Sequence, residues 1–545
     1  MISRHQHHAR TGATFLSALA ALCAAALFFT LPARAAHNAQ EEATRNFDKT
    51  LTLPAGQSFH IEHKFGELRI HGESTRELKI HATIRVQLSS RSEAESWADQ
   101  IHIEVEQNSQ GVRVRTVYPE KSWFNVRHIS YSVDYDIAVP SDAPTAARNA
   151  FGNVNITGVA ARTEIENKNG QVALRDSGPA TLTNAFGGIE AGNINGNAVI
   201  TNNNGTVNVS MVKGSLEIRN RFGNVTARNI QGALTISGGN GPVDVNDAAE
   251  TTISNSFGPV TARSIRGNLT VNDNNGAIEV SDVKGNATLN GSFGAIAFSN
   301  ITGNVACTAT NSRIKGASVA GNVAATTTFG EVSLDQLGGS VDVQDSNGNV
   351  TVREVKGYAK LNTSFGAIDA SALHKGVRAT TGNGRIHLSD IDGDTYAKTS
   401  FGSVEAQRIA GNLTVENSNG PVGAGNIKGD VSARTSFASV SLEEIGGQIT
   451  VDNQNGSVSI SAARSAACRN ISVKTSFSSI HVRLPENAGY TVTARTSFGR
   501  ISTDLPITTT GEVGGNSLTG KIGNGACALS LTDSNGSIEI QKLTK

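Results

Sequence analysis

A phenylalanine recurs at intervals of 35 or 36 residues, at Phe151, Phe186, Phe222, Phe257, Phe293, Phe329, Phe365, Phe401 and Phe437, and all but the last precede a glycine. Midway between them runs a second series: Asn169-Gly170, Asn204-Gly205, Asn240-Gly241, Asn275-Gly276, Asn347-Gly348, Asn383-Gly384, Asn419-Gly420 and Asn455-Gly456, with Asn311-Ser312 as a variant. The two series interleave, so the structural unit is a half-repeat of about 18 residues inside a 36-residue double repeat. Each half is numbered here from its Phe or Asn as position 1. In the halves that start at Phe401 and Asn419, positions 4, 6, 9, 13 and 15 are apolar: Val404, Ala406, Ile409, Leu413 and Val415, then Val422, Ala424, Ile427, Val431 and Ala433. Glycine stands at positions 2 and 11 of both.

Positions 4 and 6, and again 13 and 15, alternate with the period of a short strand that buries one face. The glycines mark corners that need positive φ or close backbone approach. One such coil cannot bury its own inner face, and stacking coil on coil pairs the strands and closes an apolar column. Helices are excluded, because the apolar residues do not recur at i, i+3, i+4 and i+7 and a glycine about every nine residues would cost about 1 kcal/mol each time. A propeller blade needs four strands per period and has no reason to split into two like halves. The chain is therefore predicted to be all-β, a single-stranded β-helix or β-solenoid. Position 17 shares the face of 13 and 15 yet is polar (Asn202, Asn220, Asn255, Asp273, Thr363, Thr399, Asn417), which predicts an internal ladder whose groups bond to like neighbours about 4.8 Å above and below. The Phe rings are expected to pack over the Asn turns between them.

The regular body spans 149–479. Phe477, Phe498-Gly499 and Asn535-Gly536 extend the pattern through C-terminal coils and an end cap over 480–545. Residues 58–72, with Phe65-Gly66, Leu68 and Ile70, read as an early coil. The rest of 36–148 is irregular: a short helix over Arg91 to Ile101 and strands over Leu78 to Leu88, Ile101 to Val105, Val112 to Val117 and Tyr131 to Val139 fit a cap over the open end. Residues 1–35 read as a signal peptide, with Arg4 and Arg10, an apolar run from Phe15 to Leu31, and Ala33-Arg34-Ala35 before cleavage at Ala36. Export to the periplasm, cell surface or medium is thus expected, with no membrane-spanning segment after cleavage.

Of 47 basic residues, Arg4, Arg10 and Arg34 leave with the signal, so near neutrality against 47 acidic residues argues against a nucleic-acid partner. Cys307, Cys468 and Cys527 remain. Cys307 replaces a valine of sister repeats and reads as a small buried residue, and a Cys468–Cys527 pair is open in an oxidising compartment.

The signal, Leu53-Pro54-Ala55-Gly56, the units Phe-Gly-x-Val and Asn-Gly-x-Val, Val482-Arg483-Leu484-Pro485 and Ser534-Asn535-Gly536-Ser537-Ile538 together resemble the bacterial putative-adhesin β-solenoid family, kin to the head GIN adhesin domains. The resemblance covers nearly all of the mature chain. It implies a solenoid at the cell envelope and supplies no functional residues.

Several groups merit a chemical reading. Asp273, Asp345 and Asp533 precede Asn-Gly turns and read as Asx-turns rather than calcium ligands, because the glycine-rich nonapeptide is absent. His60, His63, His71 and His81 alternate with apolar residues and read as solvent-facing strand positions. Lys213, Lys284, Lys356 and Lys428 share position 10 of Asn-type coils and read as solvated corners. Breaks in the repeat fall near Asp134 and Asp136, and near Ala463 to Cys468, where a carboxylate pair could in principle act. No catalytic, cofactor-binding or metal-ligating residue is assigned. The function expected is that of an exported, non-enzymatic element, adhesin-like, structural or scaffolding, whose partners are surface glycans or envelope proteins. The alternative is a carbohydrate-active β-helix enzyme.

Overall fold

The computed structural model describes residues 41–119, 129–464, 468–510 and 514–543. The signal segment and its cleavage point lie outside them. The described chain is a β-solenoid with a single helix, Arg91–Asp99. Each coil contributes two strands, one to each of two facing parallel sheets, as with Val404–Ile409 and Leu413–Asn417. Strand residues pair with their counterparts about 18 residues on: Val404 with Val422, Leu413 with Val431. Side chains at positions 4, 6, 9, 13 and 15 thereby form one continuous core.

Strict alternation would turn position 8 inward and position 9 outward. Instead, sixteen successive coils hold a non-glycine residue at position 8 with φ between 52° and 58°, from Asp176 to Glu444. This left-handed residue takes no ladder partner, so Arg408 is skipped while Ile391 pairs with Ile409, and the chain turns just enough for position 9 to face the core. A left-handed residue costs roughly 1 kcal/mol or more unless it is Gly, Asn or Asp. Asn or Asp stands at eight of the sixteen positions.

The two other corners rely on close approach. A Cβ on Gly402 would run into the carbonyl oxygen of Gly384, and one on Gly411 into the backbone at Gly393. Position 12 supplies a ladder not foreseen from sequence, in which an Asn Oδ1 accepts from the backbone N–H one coil on: Asn304 N–H to Asn286 at 2.8 Å, Asn322 N–H to Asn304 at 2.8 Å. The expected ladder at position 17 is present and buried, but its partners differ. Asn417 Nδ2 donates to the carbonyls of Gly402 and Gly420 at 2.9 and 2.7 Å, and Thr399 Oγ1 to that of Gly384 at 3.1 Å. The corner carbonyls would otherwise be buried without donors, so they take the amides before like neighbours can.

Both ends are closed by coils that are out of sequence order. The strand Ser58–Glu62 lies between Gly111–Val117 and Thr145–Phe151, and Leu68–Glu73 lies between Ser130–Pro140 and Val154–Thr157. The early coil is thus second in the stack. Antiparallel strands cover the outermost coil: His102–Asn108 on one sheet, then Glu77–Leu88 and Glu41–Thr52 on the other, with the helix packed against them. At the other end Cys527–Thr532 is inserted between Ile471–Lys474 and Tyr490–Arg495, and Ile538–Lys542 between Ile480–Leu484 and Ile501–Thr503. Ser517–Ile522 then covers Tyr490–Arg495 in antiparallel fashion. A Cys468–Cys527 disulfide ties the inserted strand to the coil beneath.

This order is open to direct test by paired cysteines. Ser472 and Ser530 are Cα partners, as are Thr493 and Ser530. Either double variant should cross-link on mild oxidation, because adjacent strands fall within disulfide reach. A Ser472→Cys/Thr493→Cys pair, about two strand spacings apart, should not. Cross-linking of that last pair alone would mean that the coils stack in sequence order.

Candidate functional site

The most distinctive surface is the corner at position 1. Eleven phenylalanines from Phe151 to Phe498 lie exposed along it, with Phe151 at 47%, Phe401 at 64% and Phe498 at 84%. They are not buried, as their apolar character had suggested they would be. The corner is convex, and the neighbouring Asn side chain folds down rather than across: Asn419 Nδ2 donates to the Ser400 carbonyl at 3.1 Å. In the sheet registers Phe186 pairs with Asn169 on one side and Asn204 on the other, so aromatic rings and carboxamides alternate coil by coil. The inserted C-terminal coil preserves the alternation in space, because Asn535 donates its N–H to Ser476 and Phe498 its N–H to Ser534, which sets Asn535 between Phe477 and Phe498.

On the outer face of one sheet there is a shallow groove of about 490 Å³. Ala306, Ala324, the position-12 residues Asn304 and Asn322, and Tyr358 are among the residues that line it. Asp342, which also lines it, is held by Lys360 at 3.0 Å. Nothing in the sequence marks it except two small residues where other coils carry longer ones.

The residues weighed from sequence fall as follows. Asp273, Asp345 and Asp533 are buried Asx-turn residues whose Oδ1 accepts from the backbone N–H of Asn275, Asn347 and Asn535 at 3.2 to 3.3 Å. Burial pushes their carboxyls above the usual aspartate range. Lys213, Lys284, Lys356 and Lys428 are exposed. Asp134 pairs with Arg85 and accepts the Glu67 N–H at 2.9 Å, while Asp136 sits 3.4 Å from His71. The two aspartates are therefore engaged separately. In the break at Ala463 to Cys468, residues 465–467 lie outside the described residues. Cys307 is buried, and burial pushes its thiol up to about 12.

His60, His71 and His81 face solvent, but His63 does not. It stands two residues before Phe65, which makes it the position-17 residue of its coil, the slot that holds Asn149 and Asn167 in the next two. Its Nδ1 lies 3.1 Å from the Thr116 hydroxyl and 3.3 Å from that of Tyr118, with the Tyr135 ring edge-on at 5.1 Å. Phe65-Gly66 was the signal that could have located it.

No protein-family model matches the chain, and no curated protein does. A solved structure to which it is similar is a putative cell adhesion protein from Clostridium sporogenes, 7% identical over 92% of this chain and 100% of that one. The TM-score of 0.14 is too low for that likeness to carry any conclusion. Among the described residues no helix is long and apolar enough to cross a membrane.

Desolvation holds the His63 imidazole well below its ordinary value, at about 4. The folded state keeps the ring neutral while an unfolded chain takes up a proton below about 6.5. The stability this contributes is present above that pH and is lost as pH falls towards 4, a change on the order of 3 kcal/mol. Native-state hydrogen exchange in the strand Ser58–Glu62 should show its opening free energy falling across this window. In a His63→Asn variant it should be nearly flat, and an equal fall in both proteins would remove His63 as the cause.

Proposed function

We propose that this protein is an exported, non-enzymatic β-solenoid that serves as an adhesin-like, structural or scaffold element of the cell envelope or surface. The observation that carries the reading is the aromatic ridge: the same exposed group is repeated eleven times along one edge of a long body. A distributed, repeating surface suits attachment or spacing, whereas catalysis needs groups that converge at one place. The carboxylates considered for a glycan-cleaving site are taken up separately, Asp134 by Arg85 and Asp136 by His71. The resemblance to the adhesin-type solenoid family points the same way. Surface glycans or envelope proteins are the partners in this reading.

Deleting Phe365 through Ser400 joins Ser364 to Phe401 and removes two whole coils in phase, shortening the body by roughly 10 Å. A series of such deletions should reduce attachment of cells or beads bearing the protein gradually with coil number. Glycan turnover that survives every deletion but one, then vanishes in a single step, would replace this reading with the enzymatic one.

A further inference from the structure

Along the ridge, successive Phe rings are two coils apart, about 9.6 Å, which is beyond the 4.5–7 Å over which aromatic rings interact. At one place the fold fills the gap itself. The inserted coil sets Phe65 directly beside Phe151, and the two rings stack at 5.4 Å with 9° between their planes. Elsewhere the intervening coil carries Asn, and in several coils its amide folds down onto a corner carbonyl, as Asn275 does on Ser256 at 3.2 Å and Asn347 on Thr328 at 3.1 Å. The slots between the rings there hold no second aromatic ring.

We propose that these slots receive the phenylalanine ridge of a second copy of this chain, so that two rods lie side by side and antiparallel with their rings interleaved. A partner must offer an apolar group every 9.6 Å or so for about 96 Å, and an identical ridge has that period by construction. Interleaving at half a period brings each ring to about 4.8 Å from its new neighbours, close to the spacing seen for Phe65 and Phe151. A two-fold axis running along the rods would set rings of both copies at equal heights and collide them. An axis across the rods can fall a quarter period, about 2.4 Å, from a ring, which sets each ring midway between two rings of the other copy and gives a closed pair. Charge does not oppose the contact along the middle of the ridge, because Ser or Thr precedes Phe257, Phe293, Phe329, Phe365, Phe401 and Phe437. The inference is independent of what the rod attaches to.

Sedimentation velocity on the disulfide-intact exported protein at micromolar concentration tests it with two variants. The wild type should run as a dimer. Replacing Phe293, Phe329, Phe365 and Phe401 by Ser should weaken the dimer by about a hundredfold or more while changing the melting temperature of the monomer little, since more than half of each of those residues is exposed in its own chain. Asn347→Phe/Asn383→Phe fills two slots from within, as Phe65 does, and should also weaken the dimer although it makes the ridge more apolar. Three results would overturn the proposal: a monomeric wild type, a dimer indifferent to the four Ser substitutions, or tighter association of the slot-filled variant, which would indicate unspecific apolar contact. If the wild type is monomeric and binds soluble cello-oligosaccharides in a way the Ser variant does not, the ridge is a glycan platform instead.

Discussion

The in-register parallel pairing of each strand residue with its counterpart about 18 residues along the chain governs everything else in this molecule. It stacks equivalent positions at about 4.8 Å, so most positions must tolerate their own kind above and below, the exception being position 1 with its alternating Phe and Asn. Apolar residues at positions 4, 6, 9, 13 and 15 satisfy this by forming the core. Asn at position 12 satisfies it by passing a hydrogen bond from coil to coil. Charges do so poorly, and several on the outer faces meet the opposite sign in a neighbouring coil: Arg228 with Asp244 at 3.2 Å, Arg263 with Glu279 at 3.3 Å, Lys398 with Glu416 at 3.0 Å, Arg408 with Asp390 at 2.6 Å. Exposed pairs of this kind contribute little each, and their effect is mainly to avoid the repulsion of like charges across strands.

A stack held together this way has no intrinsic stopping point, because every terminal coil presents unpaired backbone to solvent. Both ends solve the problem alike. The chain overshoots by one coil, lays antiparallel strands on the outside, and places another coil in the vacated layer. Antiparallel cover breaks the register on which further stacking depends, and charged residues such as Glu41, Glu42, Asp48 and Lys49 on the outermost strand discourage edge-to-edge addition. Growth along the axis is thereby blocked, while the lateral face with its phenylalanine ridge stays open.

Much of this was legible in the sequence, and what was not has identifiable causes. The strand positions followed from period-two alternation, the cap elements from their own patterns, and the helix at Arg91–Asp99 closely matches the one expected. The inward turn of position 9 was visible as a run of Ile, Val and Leu, but its cause, the left-handed residue before it, was not, although the recurrence of Asp and Asn from Asp176 to Asn426 was a usable sign. The Phe rings were expected to pack because large apolar side chains usually do. Their exposure follows from position 1 lying at a corner outside the inward set 4, 6, 9, 13 and 15. His63 was missed because its histidine neighbours in sequence do face water. The inserted coils were illegible because they depend on pairings between segments such as Ile471–Lys474 and Cys527–Thr532, with only the two cysteines Cys468 and Cys527 as a hint.

The chain forms one extended stack with two strands per coil. Its first sheet has 25 strands, which at about 4.8 Å spacing gives a rod roughly 115 Å long. Small-angle X-ray scattering measures this directly. A rod of that length, single or doubled side by side, should give a radius of gyration of at least about 33 Å and a constant cross-section along its length. A value near 24 Å, as for a compact chain of this size, would contradict the stacked-coil account.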